Sequence, residues 1–138
     1  MATDSIQELM DQVDKDFTYD NSNIDKFSMN LGRLYLKYAR LLYTNSKAYK
    51  ERVIQLDELY GKIYCELKYH SDVRYEDSQI NKLIKADSRY VSMSTEISKR
   101  EAIVDYLKGV TDQAGKQNFH VSNFIKLKMI EHNIADVA

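Results

Sequence analysis

Between residues 26 and 52 the chain carries seven bases, Lys26, Arg33, Lys37, Arg40, Lys47, Lys50 and Arg52, against a single acid, Glu51. At about 100° per residue on a helix, Arg33, Lys37, Arg40 and Lys47 fall within about 80° of one another. Any soluble helix presents a charged outer face, but normally with both signs mixed. A one-sign stripe of this kind neutralises phosphates and releases counterions without reading bases, so the chemistry it suits is contact with a phosphodiester backbone. The preceding block is its opposite. Residues 1–25 hold seven acids against Lys15, a net of −6 beside a net of +6, while the whole chain is only −1. Such a segment suits a basic partner.

Other chemistries find less support. The eleven tyrosines could stack on bases, since aromatics interleaved with cations form platforms for single strands. Tyr35, Tyr38, Tyr49 and Tyr60, however, repeat with the aliphatic residues around them, as rings packed in a core with their hydroxyls reaching water do. Tyr43 lies off that stripe and joins Leu36 and Ile54 in a second apolar strip, which predicts a surface shared with another copy of the chain. His70, His120, His132 and Cys65 do not come at zinc-ligand spacings. Cys65 falls within the apolar periodicity, where a small buried residue is expected. The four glycines, Gly32, Gly61, Gly109 and Gly115, are too far apart for a phosphate loop or a dinucleotide fingerprint. No constellation for catalysis, metal or cofactor emerges, and an enzyme is not expected.

The elements that position these residues read as all-α. Apolar residues are 43% and charged residues 30% of 138, proline is absent and glycine scarce, as in one folded, mainly helical domain. No apolar run reaches the roughly 20 residues needed to cross a bilayer, and the N-terminus lacks a signal-like pattern, so a cytoplasmic protein is expected. Ile6, Leu9, Met10 and Val13 mark a first amphipathic helix with Asp4 or Ser5 as cap. After a turn at 18–24, Asn23 or Asp25 opens a long helix over about 25–69. There Leu31, Leu34, Tyr35, Tyr38, Leu41 and Leu42 begin a stripe in steps of three and four that continues to Leu67. Such a rod, about 68 Å at 1.5 Å per residue, needs a partner helix, and Gly61 within it suggests a kink or a close helix contact.

His70–Arg74 breaks the pattern. The stretch YEDSQINKLIKADSRY, residues 75–90, then places Ile80, Leu83 and Ile84 on one inward face, with Ser78 or Asp77 as cap. A further helix is expected from Asp87 or Ser88 to Ala114, stopped by Gly115, and a last amphipathic helix over about 119–135 from Phe119, Val121, Phe124, Leu127, Ile130 and Ile134.

Several of these segments, taken in order, resemble the UvsY-type recombination mediators of T-even-like phages. They are the acidic N-terminal segment, LYLKYARLLY opening a long helix that ends near LKYHSD, YEDSQINKLIKADSRY, IVDYLKGV and the closing FHVSNFIKLKMIE. Each motif is weak alone; their order and spacing over nearly the whole chain carry the resemblance. It implies a non-enzymatic helical protomer that forms a ring-like homo-oligomer. It further implies binding of single-stranded DNA, displacement of the phage single-strand-binding protein and loading of a RecA-like recombinase of the UvsX type. On this view 75–90 is a structural link and not a reaction centre.

The resemblance also implies two basic DNA-contacting residues near the end of the long helix, where this chain has Tyr64 and Glu66. Either the neighbouring Lys62 and Lys68 take that role, or the DNA leans on Arg33, Lys37, Arg40 and Lys47, with Lys126 and Lys128 next in line. The expected interface between copies is Leu36, Tyr43, Ile54, Phe119, Phe124, Leu127 and Ile130. The acidic N-terminal segment would meet the recombinase or a neighbour's basic face. The alternative is a coiled-coil adaptor without DNA binding, whose basic face meets an acidic protein.

Overall fold

The computed structural model describes residues 2–20, 22 and 24–137; of these, the side chains of 2–5, 118–125, 128 and 132–137 lie outside the description. Four helices follow in order: α1 (Ala2–Asp16), α2 (Ile24–Tyr69), α3 (Asp77–Ala86) and α4 (Ser88–Val137). No strand occurs among the described residues, and the class is all-α.

The chain forms two compact units, residues 3–43 with 105–138, and residues 44–104. In the first unit, α1 and the start of α2 close around Phe27 and Leu31, with Phe17 and Leu34 packed against them. Tyr38, Leu107 and Ala114 are fully buried here as well. Phe17 meets Tyr38 ring to ring at 5.6 Å, fixing the exit of α1. In the second unit, Ile63 of α2 and Ile80 and Ile84 of α3 form the core, flanked by Leu59, Tyr60, Leu67 and Tyr90. Burying three such aliphatic side chains contributes on the order of 1.5–3 kcal/mol each. The Tyr60 hydroxyl donates to Asn81 at 3.0 Å, so the ring packs while its polar end stays satisfied.

Local chemistry sets the helix ends. Glu76, and neither Ser78 nor Asp77, is the N-cap of α3, and its backbone N–H donates to Gln79 Oε1 at 3.0 Å. Asp87 serves two helices: its N–H closes α3 on the Ile84 carbonyl at 3.0 Å, and its Oδ1 accepts the Arg89 N–H at 2.9 Å to start α4. The cap expected at Asp4 or Ser5 is not used, because α1 already begins at Ala2; Asn23 lies outside the described residues.

Four further expectations change. α4 runs unbroken through Gly115, whose φ is not positive. Ala114 beside it is buried, and packing on that turn outweighs the roughly 1 kcal/mol helical cost of glycine. Leu83 is exposed, since a ten-residue helix turns only Ile80 and Ile84, four apart, inward. Cys65 is exposed. A Cβ at Gly61 would meet open space, so α2 makes no close contact there among the described residues.

Candidate nucleic-acid interface

In the first unit the end of α1 and the first turns of α2 border a groove of about 500 Å³ that gathers Lys15, Lys26, Arg33 and Lys37 with the single carboxylate of Asp16. The α2 bases are spaced by seven and four residues and so share one helix face; Asn30 and Thr18 add polar groups beside them. Asp16 is already engaged. Lys37 Nζ donates to it at 2.8 Å and the Tyr38 hydroxyl at 2.6 Å. Burial pushes the Asp16 carboxyl upward, but the hydrogen bonds from Lys37 and Tyr38 and the Lys37 charge outweigh it and hold it below the ordinary carboxylate range. Burial first, then donation to Asp16, pushes the Tyr38 hydroxyl far above its ordinary value. Lys15, Lys26 and Arg33 form no ion pair among the described residues.

Arg40, also in this unit, is exposed and unpaired among the described residues. On the same stretch of α2, Met29, Leu36 and Tyr43 repeat every seven residues and are 85%, 55% and 71% exposed. They form an apolar seam of coiled-coil spacing beside the basic face. Leu127 and Ile130 of α4 are exposed too; the side chains of Phe119, Phe124 and Lys128 lie outside the described residues, and Lys126 is exposed.

In the second unit, Lys47 and Lys62 are exposed and unpaired among the described residues, and Ile54 is exposed. Lys68 is bound: it donates to the Tyr64 oxygen and to Asp77 Oδ1, each at 3.0 Å, while the Tyr64 hydroxyl donates to the same carboxylate at 2.9 Å. Those two acceptors push the ammonium of Lys68 well above its ordinary value. Glu66 receives both guanidinium ends of Arg89, at 2.8 and 3.3 Å, and Arg89 also holds Asp87 at 3.1 Å. The Arg89 hydrogen bond, opposed by burial and helped by the charges of Arg89 and Lys62, lowers Glu66 below the carboxylate range. Tyr64 and Glu66 therefore tie the end of α2 to α3 and to the start of α4.

Lys15 and Lys26 were not among the candidates from sequence. Lys26 belongs to the basic block and was recognisable; Lys15 is isolated among acids and joins the groove only because the end of α1 packs beside the first turns of α2. No group of three His, Cys, Asp or Glu among the described residues is placed to hold a metal, and no helix of the described residues is long and apolar enough to cross a membrane.

A family model described as "Recombination, repair and ssDNA binding protein UvsY" matches residues 12–134. The chain belongs to the UvsY family. No curated protein matches it. Among solved structures, one crystal form of the bacteriophage T4 recombination mediator protein UvsY (lattice type IV) superposes with a TM-score of 0.78. It is 17% identical and covers 91% of this chain and 97% of that one. A second form (lattice type II) gives 0.77 at 18% identity, with 91% and 96% covered. At such identity these structures show that the UvsY-family fold is shared; the side chains of the groove and of the α2 end are this chain's own.

Proposed function

We propose that this UvsY-family chain is a non-catalytic recombination mediator that binds single-stranded DNA. It helps displace a single-strand-binding protein and loads a RecA-like recombinase of the UvsX type during phage recombination and repair in the host cytoplasm. The observation that carries this is the family match over residues 12–134, whose described activity suits a chain with an unpaired basic face. DNA contact is assigned to Arg33 and Arg40 in one unit and to Lys47 and Lys62 in the other, while Lys37 and Lys68, expected from the sequence as well, are held by Asp16 and Asp77. Copies associate as a ring through Leu36, Tyr43, Ile54, Phe119, Phe124, Leu127 and Ile130. Repeating a modest basic patch around a ring gives avidity for a wrapped strand, so no single site has to be strong.

The test is a mobility shift with a labelled oligonucleotide over a range of salt, alongside the mass in solution with and without the strand. The expected result is an oligomer whose binding weakens steeply with salt and ignores base sequence. A chain that assembles without shifting the strand would be an adaptor for an acidic protein instead. Changing Arg33, Lys37 and Arg40 together to alanine should weaken binding and leave assembly intact.

A further inference from the structure

The groove at the end of α1 has a neighbour that its charge alone does not explain. Tyr19, in the turn after α1, stacks on Phe27 with ring centroids 4.5 Å apart and planes 20° from parallel. Phe27 is 7% exposed and anchored in the core of the unit, whereas Tyr19 is 42% exposed. A buried ring thus holds a solvent-facing ring in a fixed plane. Phe27 also lines the groove that carries Lys15, Lys26 and Arg33, so Tyr19, outside the lining itself but stacked on Phe27, borders the free cations. Cations beside a presented aromatic plane are what proteins use to follow a single strand, the cations meeting phosphates and the ring meeting a base.

We infer that this groove holds one segment of the single strand, with Lys15, Lys26 and Arg33 taking backbone phosphates and Tyr19 stacking against an unpaired base. The inference rests on the reading that the chain binds single-stranded DNA, and it names where and how. Lys37 plays a different part. Paired with Asp16 at 2.8 Å, it cancels the one carboxylate of the groove, leaving the other three cations uncompensated among the described residues. A duplex is a poor occupant, because its bases are stacked on each other and have no free face to offer Tyr19. A free phosphate would use the cations and ignore the ring.

The experiment uses the full chain with two fluorescent probes of equal length, an oligothymidylate and an abasic deoxyribose-phosphate strand. Lys82→Gln, on α3, serves as the control for a lost surface charge. The combined variant Lys15→Gln, Lys26→Gln, Arg33→Gln should bind both probes about 10-fold more weakly at low salt and lower the salt slope by about 2, at about 0.7 per lost phosphate contact. Tyr19→Ala should weaken the oligothymidylate about 5-fold or more and leave the abasic strand unchanged, while Tyr19→Phe, which keeps the ring, matches the parent.

The assignment is overturned if the triple variant behaves like Lys82→Gln, or if Tyr19→Ala weakens both strands alike. If the parent chain binds neither probe, the DNA-binding reading itself has failed. If the parent binds and only the variants disagree, the groove alone is wrong.

Discussion

The start and the end of α2 both bring bases together with tyrosines and acids, yet they are built to opposite ends. At the start, four cations share a groove with one carboxylate, and Lys37 and Tyr38 satisfy that carboxylate. At the end, Lys68 and Arg89 meet Asp77, Glu66 and Asp87, and each of these five charges has a partner. The first arrangement leaves positive charge without a partner among the described residues; the second pairs it with acids and so joins three helices. Counting bases does not locate a phosphate surface. Subtracting the acids that already hold them does.

The largest expected effect comes from removing the scaffold of the second region. Ile80→Ala deletes a fully buried side chain and should cost about 2–5 kcal/mol, read by thermal or denaturant unfolding. Below its melting point the variant should still bind a single strand; loss of binding by the folded variant would make the α2 end, and not the groove, the main contact. Next, Arg33→Gln and Arg89→Gln each remove one charge, but only Arg33→Gln should lower the salt slope of binding, by about 0.7. Arg89→Gln should lower the melting temperature slightly and leave the slope alone; the reverse pattern would invert the comparison.

A third change touches the acid in the groove. Asp16 has its folded pKa depressed, so its contribution to stability is fully present above the unfolded value near 3.8 and is lost as pH falls through the lower folded value. Asp16→Asn should therefore flatten the acid limb of a melting-temperature profile taken between neutral pH and pH ~3. At neutral pH it should also tighten strand binding, because Lys37 is freed; weaker binding would mean that the Asp16–Lys37 pair positions the groove. The smallest effect is expected at Gly61, where a Cβ meets open space on the exposed side of a helix. Gly61→Ala should raise stability by about 0.5–1 kcal/mol without altering binding.

Much of the frame was legible because helical periodicity is local information. The three-and-four steps from Leu31 to Leu67 describe α2, and the residues set off that stripe, Leu36, Tyr43 and Ile54, are exposed; Tyr35, expected on the stripe as a packed ring, is exposed as well. The helix ends were less legible. Glycine at 115 signals a stop, yet packing around buried Ala114 carries α4 through it. The site was least legible of all, for a definite reason. Lys37 meets an acid 21 residues away and Glu66 meets a base 23 residues away. Whether a base is free or held is settled by tertiary neighbours that no helical wheel contains. Tyr19 was hidden the same way: in sequence it is one aromatic in a turn, and its plane acquires meaning only from Phe27 beneath it.

The double duty of Asp87 carries one more consequence. Because a single residue ends α3 and begins α4, the joint has no slack, and the rotational phase of the second helix is inherited from the first. One residue inserted there would swing the faces of α4 by about 100°, carrying Ile97 and Val104, both buried, out of the interior. The turn at residues 70–76, by contrast, can absorb length changes, so variation between related chains should accumulate there and spare the joint at Asp87.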